Sequence, residues 1–278
     1  MMLDGRMLHG GLSDRFWGLI STYKYCKDHN KTFKIFFTSP YKLEEFLLPN
    51  KVDWLISSDK LRYVFPIARP IYLSMVYYNR EKMYKYATDI FAKKCNQLHL
   101  YTNMRAVRDA EFSNLFHELF KLSPTLEQSV KSFRKELGQD YVSITFRFQQ
   151  LLGDFKEGDF PILSSDLEKE SLIAKCIQLV KREVKNHNCR ILVTSDSCTF
   201  LSRVAHIENV YIIPGKIVHI DYDANQETYK VHEKSFLDLF LISMANEIYL
   251  ANFKPLYHSG FPMTAALIGG KIYHEISI

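Results

Sequence analysis

No uninterrupted apolar run in this 278-residue sequence approaches the ~18 residues that a membrane-spanning helix needs. The stretch from Met1 to Gly11 lacks the apolar core of a secretory signal, so a cytoplasmic location is expected. There is no C-x-x-C pair. The five cysteines (Cys26, Cys95, Cys176, Cys189, Cys198) are odd in number, widely spaced and without a histidine at zinc-finger spacing. That pattern argues against a disulfide framework or a zinc knuckle and fits free thiols in a reducing compartment. Internal repeats, low-complexity tracts and a Gly/Ser-rich linker are also missing. No Asp-x-Asp motif closes a predicted strand; Asp221-Tyr222-Asp223 sits in a polar loop and reads as a solvated turn, so no metal is expected.

What is present is material for a core, with 47% hydrophobic and 14% aromatic residues, enough for one large or two ordinary domains. The net charge of +5 is uneven. Residues 51–110 hold eleven Lys or Arg against five Asp or Glu, interleaved with tyrosines. Such a segment suits an anionic acceptor, a phospholipid surface or nucleic acid, or is simply a solvated basic face. Without a recognised nucleic-acid motif, no nucleic-acid partner is expected.

The second half alternates β-rich runs with helical patterns. Residues 141–146 are a predicted strand. A helix begins after Ser165, where Ser165-Asp166-Leu167-Glu168 forms a capping-box pattern and Leu172, Ile173, Cys176, Ile177, Val180 and Val184 recur at helical spacing. Strands follow at 190–194, 209–213, 247–251 and 271–275. Helices are expected after Ser197, around Phe236 to Met244 and over 260–269. This β-α alternation predicts a Rossmann-like domain. In the first half a glycine-led turn precedes a helix over 13–29 and a strand over 32–38. Residues 51–110 mix loops punctuated by Pro66 and Pro70 with a helix around 81–94, and 112–133 is helical with a break at Ser123-Pro124. The domain boundary is placed near 135, giving 1–135 and 136–278.

Four short segments carry candidate chemistry. Gly10-Gly11-Leu12-Ser13-Asp14-Arg15 combines close backbone approach with a helix N-terminus that attracts anions, or is a plain tight turn. Arg147 emerges at the carboxyl end of a predicted parallel strand, where open α/β sheets bind ligands. A guanidinium there grips a diphosphate with two prongs, unless it is paired with Asp154 or Asp159 for structure. Thr194-Ser195-Asp196-Ser197 and His258-Ser259-Gly260 bring small hydroxyls and helix starts to the same edge. Each alone reads equally as an N-cap.

Together these segments resemble the GDP-fucose-dependent fucosyltransferase superfamily of GT-B fold, which includes α-1,2-, α-1,6- and protein O-fucosyltransferases. The resemblance runs from about residue 8 to 275 and implies an α/β chain of two Rossmann-like domains facing a cleft, parallel sheets flanked by helices. The family's Gly-Gly-Leu-Gly-Asn-Arg-like segment corresponds to Gly10, Gly11, Asp14 and Arg15, and its His-x-Arg to Thr145-Phe146-Arg147. Thr145 stands where the family has histidine, Ser13 where glycine is common and Asp14 where asparagine is. The spacing from Arg147 to Asp154 is longer than the family's usual Arg-x-Gly-Asp. The strand expected ahead of Gly10 has only nine residues to form in, so a short first strand or a clipped chain is expected.

By that resemblance Arg147 holds the β-phosphate, Ser195 and Asp196 lie on the base side, and His258 and Ser259 lie on the phosphate side. The acceptor is activated by Asp154 or Glu157, with Asp14 a third option. The implied activity is inverting transfer of L-fucose from GDP-fucose to a glycan acceptor with no further cofactor; beyond the resemblance, a lipid-linked oligosaccharide is an expected acceptor, and the basic segment 51–110 makes peripheral contact at the inner membrane face an expectation. A non-catalytic nucleotide-sugar or glycan-binding protein of the same fold is the alternative.

Overall fold

In the computed structural model, residues 10–73, 82, 85, 88, 89, 92, 95–155, 158–218 and 229–278 are described. The strand ahead of Gly10, most of the 81–94 helix, Glu157 and Asp221-Tyr222-Asp223 lie outside them. The chain divides into two compact units, Met1–Ser123 and Pro124–Ile278.

In the first unit, helix α1 (Leu12–Asp28) buries Phe16, Trp17 and Ile20. These meet helix α2 (Asp109–Leu119) through rings at contact distance, Phe16–Phe116 at 5.3 Å and Trp17–Phe112 at 4.5 Å. Each such pair adds about 0.5 to 1.5 kcal/mol beyond simple burial. Strand β1 (Leu47–Pro49) pairs antiparallel with β4 (Phe120–Leu122), and β2 (Ala68–Leu73) pairs in parallel with β3 (Gln97–Thr102). Gly18 lets α1 lie against the end of β3, since a Cβ there would stand 2.0 Å from the Thr102 carbonyl oxygen.

Three expectations for this half change. Residues 32–38 are extended and bury Phe33, Ile35 and Phe37 in alternation, but pair only at Ile35, which bridges Leu55. They are an anchored extended segment and not a strand of a sheet. Pro70 lies inside β2, not in a loop. The break near Ser123-Pro124 is present, yet three residues before it leave the helix to form β4, because Trp54 Nε1–H donates to the Leu119 carbonyl at 2.7 Å and Ser123 N–H donates to the Phe46 carbonyl at 2.8 Å.

The second unit opens with helix α3 (Pro124–Leu137). It belongs here by its contacts: Arg134 donates to the Met244 carbonyl at 3.0 Å and stacks 4.7 Å over the Tyr141 ring, and Ser129 donates to Glu233 at 2.7 Å. Five parallel strands follow, β5 (Tyr141–Phe146), β6 (Arg190–Ser195), β7 (Val210–Tyr211), β8 (Glu247–Ala251) and β9 (Ile272–Ile276). They are ordered β7-β6-β5-β8-β9. The chain steps outward from β5 through β6 to β7, then returns to the other side of β5 for β8 and β9. In order of appearance this is 3-2-1-4-5, the Rossmann arrangement, with its switch point between β5 and β8.

Every residue of β5 is buried, as a central strand covered on both faces requires. One face packs under helix α4 (Asp166–Asn186), where Leu172, Ile173, Cys176, Leu179 and Val180 meet Val142, Ile144, Ile191 and Val193. The capping box at the start of α4 is formed in both directions, Glu168 N–H to Ser165 Oγ and Ser165 N–H to Glu168 Oε2, each 3.2 Å. Helices α5 (Cys198–Val204), α6 (Tyr229–Ser243) and α7 (Phe261–Gly269) complete the unit. All five cysteines are free, and burial pushes the Cys176 thiol up to about 12, which leaves it inert.

Candidate functional site

The register of the central strands places Phe146 beside Ser195, so the residues that follow them leave the sheet side by side. Arg147 Nη1 lies 2.9 Å from Asp196 Oδ2. Asp196 is buried, and its carboxylate also accepts the backbone N–H groups of Phe148 at 2.8 Å and Gln149 at 2.7 Å. The loop after β5 is therefore wrapped around one carboxylate. Burial pushes the Asp196 pKa upward, while Arg147 and the two amides pull it down. The guanidinium also lies 5.2 Å over the Phe155 ring and keeps 19% of its side chain exposed.

Asp196 thus supports Arg147, the partner role that sequence reasoning offered to Asp154 or Asp159. Asp154 does something else. Its Oδ2 accepts Ser197 Oγ–H and Thr199 N–H, both at 2.7 Å, and so closes the N-terminus of α5. Burial raises its pKa, but the amide of Thr199 and the hydroxyl of Ser197 outweigh that and hold the carboxyl below its ordinary value. With Ser197 Oγ accepting from Phe200 N–H at 3.0 Å, the start of α5 is occupied by protein groups.

The turn after β8 reaches the same edge. Tyr257 donates its N–H to the Arg147 carbonyl at 2.9 Å, which seats His258 and Ser259 next to the end of β5. His258 Nε2 stands 2.7 Å from Glu275, and Ser259 Oγ accepts the Phe261 amide at 3.2 Å as α7 begins. Ser195 Oγ accepts from Ser197 N–H at 3.1 Å. Thr145 is one step inside the sheet, where its hydroxyl pairs with that of Thr194 at 2.8 Å.

The structure therefore brings Arg147, Asp154, Ser195, Asp196, His258 and Ser259 to one sheet edge, with Thr145 beneath. Gly10, Gly11, Asp14 and Arg15 belong to the first unit. There Gly10 adopts φ +77, and a Cβ would stand 2.6 Å from the Asp14 carboxylate. Arg15 is buried, donates to the carbonyls of Gly10 at 3.2 Å and Ser39 at 3.4 Å, and lies 5.3 Å over Phe37. Asp14 pairs with Arg105 at 3.6 Å.

Gln149 was not read from the sequence. It holds φ +53, a left-handed conformation costly for a side chain without special support, and is 7% exposed with Nε2 buried and lacking a hydrogen-bond partner. A glutamine gives no sign of a left-handed turn as glycine would. The only available signal was its place two residues after Arg147. Among the described residues no group of three or more His, Cys, Asp or Glu is arranged to hold a metal ion, and no helix is long and apolar enough to cross a membrane.

No family model matches the chain, and no curated protein matches it either. Solved structures do. The α-1,6-fucosyltransferase NodZ soaked with GDP-fucose aligns with a TM-score of 0.60 at 14% identity, over 93% of this chain and 89% of its own. NodZ from Bradyrhizobium gives 0.60 at 15% identity with the same coverage. A mutant of Arabidopsis thaliana FUT1 in complex with GDP gives 0.56 at 13% identity, over 98% of this chain and 69% of its own. The chain has the fold of these fucosyltransferases. The edge built around Arg147 is the carboxyl edge of the second unit's sheet, beside its switch point.

Proposed function

We propose that the protein is a glycosyltransferase that moves L-fucose from GDP-fucose to a glycan or lipid-linked oligosaccharide with inversion at the anomeric carbon. The observation that carries this reading is Arg147, partly exposed and braced by Asp196 at the carboxyl end of the first strand of a Rossmann sheet. It stands in a chain sharing the fold of NodZ, whose structure was obtained with GDP-fucose. The second unit takes the donor and the first the acceptor, in the cytoplasm.

In such a transfer the acceptor hydroxyl attacks the anomeric carbon as the glycosyl–phosphate bond breaks, and GDP departs with the electron pair. Arg147 meets the growing phosphate charge, with the fork geometry of guanidinium matching two oxygens. Its brace fixes the fork in advance, so little reorganisation is left for the reaction itself. Among the acids considered as base, Asp154 is poorly suited, because its hydrogen bonds to the start of α5 favour the ionised form and lower its basicity. Glu157 and Asp14 remain for that role.

A non-catalytic nucleotide-sugar-binding protein is the second reading. It is favoured by the commitment of Asp154 to the α5 cap. Release of GDP from GDP-fucose, with and without added glycan acceptors, separates the two. Turnover above the uncatalysed rate supports the transferase; tight binding with no turnover under any acceptor supports the binder. Because Arg147 supplies the cationic partner of the diphosphate, a chelator should leave turnover nearly unchanged. Loss of rate that manganese or magnesium restores would overturn that part of the mechanism.

A further inference from the structure

Six successive residues of the first unit, 62–67, are exposed, and five of them are apolar: Tyr63, Val64, Phe65, Pro66 and Ile67. Val64 and Phe65 at the turn are 68% and 69% exposed. This is the longest unbroken exposed apolar run among the described residues. Apolar side chains standing singly in water need no explanation, but a contiguous run signals a surface that is covered in use.

The turn is not loose. Ala68 N–H donates to the Val64 carbonyl at 3.0 Å, and the Ile67 carbonyl accepts from Asn96 and Gln97 at 3.1 and 3.0 Å. Arg62 N–H donates to Gln97 Oε1 at 2.9 Å, so both legs are fixed beside the start of β3. A rigid base thus holds an apolar tip outward. Arg62 directs its guanidinium at the carbonyls of Asp59 and Leu61, and Arg69 stacks 4.9 Å over Phe65.

Charge around the tip is mainly basic, with Asp59 beside Lys60 and Arg62 the acidic exception. From Lys60 to Arg80 the sequence carries four basic residues, Lys60, Arg62, Arg69 and Arg80, and no acidic one. A stable protein interface uses about 20 to 30 residues a side and depletes charge at its centre. A single turn with three cations near its base is small for that purpose. It suits an anionic bilayer, where aliphatic and aromatic tips enter the boundary between head groups and chains while Lys and Arg meet the lipid phosphates.

We propose that the 63–67 turn is a membrane-docking tip, with Val64 and Phe65 entering an anionic lipid surface and Lys60, Arg62 and Arg69 binding its head groups. This does not rest on the transferase reading, and its test needs no sugar donor. The full chain is sedimented with vesicles of phosphatidylcholine alone and with vesicles containing about one-third phosphatidylglycerol. The parent should pellet with the anionic vesicles, less so as salt rises, and remain in solution with phosphatidylcholine. Val64→Asp and Phe65→Asp should each weaken binding at least about tenfold with unchanged melting temperature. The Lys60→Ala, Arg62→Ala double variant should remove the preference for anionic lipid while leaving the apolar tip intact. The proposal falls if the parent ignores anionic vesicles or if the aspartate variants bind as the parent does. It also falls if Phe65→Asp turns a dimer into a monomer without changing vesicle binding, because the tip would then be a self-association surface.

Discussion

Arg147 serves two partners at once, a buried carboxylate behind it and, under the proposed function, a diphosphate in front. Arg147→Ala should cut turnover by about 100- to 1,000-fold, the usual cost of one electrostatic stabiliser of a leaving group. It should also lower the melting temperature, because Asp196 would stay buried with only the amides of Phe148 and Gln149 as donors. Arg147→Lys separates the two roles. An ammonium restores a charge for Asp196 and hence much of the stability, but not the planar grip, so activity should recover little. Equal recovery of both would make Arg147 a structural residue. At Gln149 the expected trade is opposite. Gln149→Gly relieves the left-handed backbone, worth about 1 kcal/mol, and should hold or raise the melting temperature. If the unpartnered Nε2 is a donor to ligand, turnover falls in the same variant; unchanged kinetics would show that the strain has no functional use.

At the scale of elements, helix α6 is held by a buried pair, Lys234 with both oxygens of Asp238 at 3.0 and 2.9 Å. Asp238→Ala leaves a buried ammonium alone and should cost about 3 to 5 kcal/mol in denaturant unfolding, whereas the Lys234→Met, Asp238→Leu double variant should be near neutral. Parity between the two would mean that the pair is solvated in practice. Helix α5 depends on Asp154, whose lowered pKa places its contribution fully above the ordinary carboxylate range. Stability should fade as pH drops through the depressed value, and Asp154→Asn should flatten that acid limb in thermal melts. The elements legible in sequence were those specified locally: the capping box at Ser165, the apolar strand over 190–194 and the helix over 260–269. Strand β4 was not legible, being three residues long and defined by its pairing with β1. Pro70 disguised β2 in the same way, since its ladder partner lies far along the chain at His99. Arg147 could be read from its place after a strand. Its brace by Asp196 could not, because that contact is created by the register of β5 on β6.

At the scale of the whole molecule, the proposed function requires the 3-2-1-4-5 sheet to select one nucleotide. The Thr145 hydroxyl is taken up by Thr194 inside the sheet, so under the proposed function base contacts come from other groups on the edge. The diphosphate contact proposed for Arg147 would be common to all nucleotide diphosphate sugars and confers no base preference by itself. The expectation for GDP therefore rests on the likeness in fold to NodZ and on the family-like segments around Gly10, Arg147 and Ser259. A ligand at ~100 times its dissociation constant adds about 2.7 kcal/mol to the unit that binds it, which is readable as a shifted melt. GDP and GDP-fucose should raise the melting temperature more than UDP, CMP or ADP, and Arg147→Ala should abolish most of the GDP shift while leaving the unliganded protein folded. With two compact units, the shift should fall on the transition that Asp238→Ala also moves, because both Arg147 and Asp238 belong to the second unit. If UDP gives the largest shift and GDP none, the fucosyl donor is wrong and only nucleotide binding at this edge survives. If GDP shifts the melt but Arg147→Ala leaves that shift intact, the phosphate site lies elsewhere than at the end of β5.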